Sequence, residues 1–324
     1  MNFKNILVAG SAGFIGAVVS RKLLDMDISV VGIDNMNDYY SPELKEWRLE
    51  QIKKSDNSKN FRFFKGDIAD RKLLTGIFQD NEFDAIINLA ARAGVRASID
   101  DPWVYLQTNV KGTLNLLELA CDNNIKKIVN ASSSSVYGNA EIPFSEDQNT
   151  DKPVSQYAAT KKSAEVLGYT YHYLYGLDIT MLRYFTVYGP AGRPDMALLN
   201  FIKSISEGRE ITVFGDGKQK RDFTYVDDIA DGTIKALKLS GYEIINLGND
   251  HPVELRYLIE LTENKLGKKA KMKRQKRHPA DVKDTWANID KAKKFLGWEP
   301  KTSIEESVER TVEWYREIEH LKLF

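Results

Sequence analysis

Gly10, Gly13 and Gly16 recur at three-residue spacing between the apolar run Ile6–Ala9 and a segment of helical periodicity, Gly13–Met26. A strand that turns sharply through glycines into a helix opens a βα unit, which few folds accommodate. The turn lets the backbone approach a pyrophosphate, whose charge the helix N-terminus stabilises. The spacing is G-x-x-G-x-x-G rather than G-x-G-x-x-G, so a plain glycine turn is the competing reading. Strand, helix and an acidic residue downstream favour a dinucleotide. The first half then repeats the unit. Ser29–Ile33, Phe61–Phe64, Ala85–Leu89, Lys127–Ala131 and Ile179–Arg183 read as strands, with helical patterns at Ser41–Lys54, Arg71–Gln79, Val110–Asn123 and Ser155–Tyr175. This alternation predicts an α/β fold, a doubly wound parallel sheet with helices on both faces. Ser41-Pro42 is expected to start its helix, with a hydroxyl at the N-cap and proline where no N–H is needed.

Beyond Tyr188, Gly189-Pro190 and Gly192-Arg193-Pro194 break the pattern. Helices follow at Leu198–Ser206, Val226–Leu239, Leu255–Leu266 and Ile304–Glu319, with short strands between them. We expect two domains, discontinuous in sequence: residues 1–186 with 223–248 for the dinucleotide, and a smaller α/β substrate-binding domain of 187–222 with 249–324. Lys265–Arg277 holds eight basic residues and no acidic one. Its Lys269-Ala-Lys-Met-Lys273 alternation reads as a solvated edge strand rather than a phosphate site.

Lys+Arg and Asp+Glu both total 46 in the 324 residues, so no net field draws the chain to nucleic acid or a membrane. The apolar run after Asn5 is too short for a signal peptide, and no stretch reaches the ~18 apolar residues of a membrane span. A lone cysteine, Cys121, excludes an internal disulfide and suits a reducing cytoplasm. The four histidines show no ligand spacing, so no metal site is expected.

Tyr157 and Lys161 stand four residues apart in the Ser155–Tyr175 segment, on one helical face. An ammonium beside a phenol favours the phenolate, which predicts a tyrosine pKa below its usual value of about 10. Such a base takes a proton from a substrate hydroxyl near neutral pH. Tyr-x-x-x-Lys alone recurs by chance; the serine run Ser132–Ser135 and the glycine turn give it weight. Asp34, which closes the second strand, is placed to accept hydrogen bonds from an adenosine ribose and to repel a 2′-phosphate. With Asn35 next and no adjacent arginine, NAD is expected over NADP. Asp67 and Ile68 are candidates for the adenine edge and ring, and Leu89, Ala90 and Ala91 for small neighbours of the dinucleotide. A loop or core role is the alternative for each.

Taken in order, Gly10–Gly16, Ser132–Gly138, Tyr157–Lys161, Arg183–Pro190, Arg221–Asp228 and Asn246–Gly248 resemble the extended short-chain dehydrogenase/reductases, in their nucleotide-sugar epimerase and dehydratase branch. The resemblance runs nearly end to end. It implies a Rossmann domain that holds NAD tightly through Gly10, Ala12, Gly13, Phe14, Ile15, Gly16, Asp34, Asn35, Asp67, Ile68, Leu89, Ala90, Ala91, Tyr157, Lys161 and Tyr184. It also implies a UDP- or dTDP-sugar in the cleft below the second domain.

Within the branch, Asp34–Lys45, Ala93–Ser98 and Gly192–Met196 are similar to UDP-glucuronate 4-epimerases. By that likeness Tyr157 takes the proton of the sugar 4-hydroxyl, Lys161 supports it, and Ser133 or Ser134 orients the reacting oxygen. A 4-keto sugar forms, turns over and is reduced on its other face. Arg193 would clamp the sugar carboxylate, a geometry that suits a guanidinium fork; pairing with an Asp such as Asp195 is the alternative. Arg96, Ser135, Thr186, Arg221 and Asp281 would complete the substrate site. The helices at Val110–Asn123 and Ser155–Tyr175 resemble those that pair in the family's homodimers, although Leu114, Leu117, Val166 and Leu167 also suit a core.

Several positions depart from the pattern. Arg277–Val282 replaces a Met-Gln-Pro-Gly-Asp-Val run, and Arg92 and Tyr184 are mild substitutions. Thr285 stands where glucose-only epimerases carry a pocket-narrowing tyrosine, and Ser135 where dehydratases and decarboxylases carry a carboxylate. The rival readings are a UDP-glucose or UDP-N-acetylglucosamine 4-epimerase, a UDP-glucuronate decarboxylase, and a non-catalytic NAD-sensing protein.

Overall fold

Along β1 (Asn5–Ala9) alternate residues enter opposite cores: Ile6 and Val8 join one buried cluster, Leu7 and Ala9 another. The same division holds in β2 (Ser29–Asp34), β4 (Ala85–Asn88), β5 (Lys127–Ser133) and β6 (Asp178–Tyr184). Strands apolar on both faces need helices on both sides, the condition of a parallel sheet. With β3 (Phe61–Lys65) and β10 (Tyr242–Leu247) they form one seven-stranded parallel sheet in the order β10-β6-β5-β4-β1-β2-β3. The winding reverses between β1 and β4, which opens a crevice at their carboxyl ends. The structure, a computed structural model, describes residues 3–276 and 281–324.

A third cluster lies beyond the sheet, built from the helices Ala197–Ser206, Leu255–Leu266 and Ile304–Ile318 around Ile202, Leu258, Val308 and Val312. It carries a three-stranded sheet of β7 (Thr186–Tyr188), β9 (Lys220–Tyr225) and β11 (Pro252–Glu254), and a parallel pair, β8 (Glu210–Phe214) with β12 (Lys271–Gln275). Every residue of β12 is exposed, as a lysine-rich edge should be. The helix Pro42–Lys53 joins the two halves: Leu44 enters the third cluster while Leu49 and Ile52 enter the first. Its Trp47 meets Trp314 edge to face at 5.8 Å. The return segment also crosses over, burying Ala287, Ile289, Ala292 and Trp298 with β10.

Local differences from expectation have local causes. The Ser41 hydroxyl does not cap its helix; it turns to the Glu43 carboxylate at 2.6 Å and to the Leu323 carbonyl. The helix expected from Val110 starts at Gly112, after a π-helical turn over Leu106–Lys111. Such turns often mark functional positions, and this one carries Asn109. The helix expected to reach Leu239 ends at Lys235 and closes in a 3₁₀ turn. Leu117 is core, Leu114 and Leu167 are partly buried, and Val166 is exposed. Among the described residues, no helix is long and apolar enough to cross a membrane.

Candidate active site

The glycine turn and the ends of β2, β4, β5 and β6 surround one cleft of about 440 Å³, within the range of small-molecule sites. Gly10 sits at φ +80°, and a Cβ there would stand 2.7 Å from the Ala90 nitrogen; one at Gly16 would stand 2.0 Å from the Gly10 carbonyl oxygen. Only glycine lets the turn pack this close to β4 and to its own helix. Gly13 gives no side-chain cap to the helix Phe14–Asp25, whose first turn holds no acid. The N–H groups there lack a side-chain acceptor among the described residues, the condition a pyrophosphate fits.

Asp34, Asn35, Asp67 and Ile68 line the far end of the cleft, with Leu89, Ala90 and Ala91 along its wall. Asp34 accepts from the Met36 N–H at 2.9 Å. Asp67 accepts from Asn35 Nδ2 and the Ala69 N–H, both at 2.8 Å. These contacts fix each carboxylate and leave it lone pairs for a ribose or an adenine.

Ser133, Ser134, Ser135, Tyr157, Lys161, Tyr184, Thr186 and Arg193 gather at the near end. The Ser133 hydroxyl lies close enough to Tyr157 to favour its ionised form, donates to Ser135 Oγ at 3.1 Å and accepts from the Ser135 N–H at 3.2 Å. The Tyr105 ring meets Tyr157 edge to face at 6.2 Å. One expectation is overturned here. Burial pushes the Tyr157 hydroxyl above its ordinary pKa, and only the Ser133 bond and the Arg193 charge oppose this. Lys161 does not lower it: its ammonium donates to the Ala131 carbonyl at 2.8 Å, and burial drives it down to about 8. The four-residue spacing puts both groups on one face, but the long lysine stem carries its charge to the strand. The chain's own groups therefore favour the phenol over the phenolate.

Arg193 forms a fork with Asp195, at 3.0 and 2.5 Å, while both residues line the cleft. Four expected residues lie off its wall. Ala12 is buried, with its carbonyl accepting from Arg48 at 3.2 Å. Arg96 pairs with Asp281 through two contacts and stacks 3.8 Å over Phe214. Arg221 donates to the carbonyls of Lys220, Val282 and Lys283. Thr285 accepts from the Asp222 N–H at 3.1 Å. Of the divergent run Arg277–Val282, residues 277–280 lie outside the described residues.

The family described as GDP-mannose 4,6 dehydratase matches residues 7–311. The chain belongs to this family. It falls among the extended short-chain dehydrogenase/reductases, in the nucleotide-sugar epimerase branch. UDP-glucuronate 4-epimerase of Thermodesulfobacterium geofontis is 56% identical over 96% of each chain. The crystal structure of UDP-glucuronic acid 4-epimerase from Bacillus cereus, in complex with UDP-glucuronic acid and NAD, superposes with a TM-score of 0.91 at 37% identity, covering 97% of this chain and 99% of that one. A UDP-glucose 4-epimerase from Thermotoga maritima, with UDP-glucose, reaches 0.86 at 31% identity over 97% and 99%.

In this member of the epimerase branch, several site residues escaped the sequence reading. Arg48 is buried and donates to the carbonyls of Ala12, Ala191 and Gly192, bracing the glycine turn against the loop that carries Arg193. Lys45 approaches Asp34 to 3.9 Å, so this acid has a cationic neighbour that sequence adjacency did not reveal. Arg92 lies 4.3 Å over the Tyr39 ring and donates to Asn37 at 3.2 Å. Asn109 holds the Arg92 backbone on both sides, at 2.8 and 3.0 Å, and donates to Thr160 on the Tyr157 helix. Arg92 had stood out as a mild departure from the family pattern; the signal for the other three was that they are polar residues on helices otherwise set for burial. Among the described residues, no group of three or more metal-ligating side chains converges.

Proposed function

We propose that the chain is an NAD-dependent 4-epimerase that interconverts UDP-glucuronate and UDP-galacturonate. The observation that carries this reading is the meeting of Tyr157, Ser133 and the Arg193 fork in one cleft below a dinucleotide turn. Its relatives of that activity align over nearly the whole chain.

Gly10–Gly16 and the helix N-terminus would hold the pyrophosphate of NAD, Asp34 its adenosine ribose, and Asp67 with Ile68 its adenine. When bound, NAD supplies the acceptor and donor of a hydride at C4 of the sugar. Tyr157 removes the proton of the 4-hydroxyl and later restores it, while Ser133 holds the reacting oxygen in line. Within the chain, the Ser133 hydroxyl and the Arg193 charge oppose the burial that keeps the Tyr157 proton on. Arg193, already set for a planar carboxylate, takes that of the sugar. Charge held there resists loss of CO₂ from the 4-keto acid, because departure of CO₂ would disperse it. Ser135 offers no carboxylate, so the base used for dehydration is missing.

A second copy of the chain covers the Gln156–Tyr175 helix, where Val166, Tyr169, Tyr173 and Leu174 are exposed in a row beside Trp103 and Leu106. The lone Cys121 suits a cytoplasmic enzyme.

Purified protein incubated with UDP-glucuronate, UDP-glucose or UDP-N-acetylglucosamine should convert only the first, and Tyr157→Phe should convert none. Preferential turnover of a neutral sugar would overturn the carboxylate assignment, and no turnover of any sugar would overturn the enzyme.

A further inference from the structure

Glu165 is 1% exposed, carries a charge, and takes no part in the chemistry described above. It stands one turn beyond Lys161 on the Gln156–Tyr175 helix. Its Oε1 accepts from Ser132 Oγ at 2.6 Å and from Arg183 Nε at 2.8 Å, and its Oε2 from Arg183 Nη2 at 2.9 Å. Its backbone carbonyl accepts from the Tyr242 hydroxyl at 2.8 Å. One side chain thus ties the helix of Tyr157 and Lys161 to β5, next to Ser133, and to β6.

A buried ion pair is a poor way to gain stability, since apolar residues of equal volume often serve as well. Its use beside a proton-transfer site calls for another role. We propose that Glu165 is a positioning residue for the proton transfer: its carboxylate locks the Tyr157–Lys161 helix to the Ser132–Ser133 strand and places a fixed negative charge beside the Lys161 ammonium. Among the described residues, the hydrogen bond of Lys161 goes to a neutral carbonyl, that of Ala131. Burial lowers the hold of Lys161 on its proton, and the Glu165 charge opposes this. The other titratable or charged groups around the pair are Tyr157 and Lys162 on the same helix, Arg183 on β6, Tyr242 on β10, and Tyr137 and Glu146 after β5. Arg183 is held by the Glu165 fork, and its guanidinium lies 4.7 Å over the Tyr137 ring.

This inference rests on the epimerase reading. With Glu165→Gln the lysine gives up its proton at lower pH; because Lys161 lines the dinucleotide cleft, loss of its charge weakens the cofactor site rather than changing the Tyr157 acidity, so the alkaline limb of kcat should move about one unit toward acid, with KM for UDP-glucuronate unchanged. Glu165→Asp retains the charge and should restore the limb. Because a lone Arg183 could unfold the first variant, Glu165→Gln/Arg183→Met supplies a neutral pair, and its limb should also move toward acid. Limbs that superpose on wild type in both Gln variants would overturn the proposal, however much the rate falls. The Lys161 Cε shift, titrated in holoprotein carrying ¹³C-lysine and assigned against Lys161→Met, reads the same displacement without turnover. An inactive wild type would then count against the epimerase reading alone, and an unmoved shift against the role of Glu165.

Discussion

The Arg193 fork binds a carboxylate already, that of Asp195, so its geometry is set before any substrate arrives. A second carboxylate gains two parallel, charge-assisted hydrogen bonds if Asp195 yields, whereas a neutral hydroxymethyl group gains neither. Arg193→Ala should therefore raise KM for UDP-glucuronate at least about tenfold, the cost of one charged hydrogen bond pair, and release some pentose product by loss of CO₂. Chromatography of the nucleotide sugars measures both effects, and unaltered KM with clean product would remove the clamp. At the same scale, Tyr157 shows why a motif is not yet a pKa. Its hydroxyl is pushed up by burial, and the charge that reaches it within the chain comes from Arg193 in the distant turn rather than from Lys161 on its own helix.

The helix Pro42–Lys53 acts as a single brace. Leu44 and Trp47 face the third cluster, Leu49 and Ile52 the first, and Arg48 reaches between them to three carbonyls from two loops. Those carbonyls are buried or nearly so, and without the guanidinium they would be left without these donors. Arg48→Ala should thus cost about 3 kcal/mol, seen as a lower urea midpoint at constant slope. It should also loosen the Arg193 turn, raising KM for UDP-glucuronate. A midpoint within error of wild type would show that the brace carries no energy. The glycine turn depends on the same element, because the Ala12 carbonyl is one of the three.

Across the whole molecule, the Gln156–Tyr175 helix divides its duties by face. Ala158, Lys161, Ala164, Glu165 and Gly168 are turned inward, while Val166, Tyr169, Tyr173 and Leu174 are exposed. A contiguous apolar strip on a surface helix usually meets a partner, and a self-complementary helix face suits a two-fold axis. Val166→Glu with Tyr173→Glu places two like charges on each side of that axis. The variant should run as a monomer in light scattering where wild type runs as a dimer; a monomeric wild type would end this reading.

Much of this architecture was legible in the chain because it rests on short-range rules. Alternating strands and helices, the glycine turn with its acid, the serine run, and the tyrosine–lysine spacing each depend on residues close in sequence, and the sheet formed around them as expected. What stayed hidden depends on long side chains and distant neighbours. Whether Arg193 meets Asp195, whether Arg96 meets Asp281, and where the Lys161 ammonium ends are choices among partners that sequence spacing cannot rank. Arg48, Asn109 and Glu165 read as ordinary polar residues until folding buries them, and only then does the cost of an unpaired buried group give each a compulsory partner. Periodicity and turn chemistry thus settled the fold and the place of the cleft, while burial and side-chain reach, which exist only in three dimensions, decided its charges.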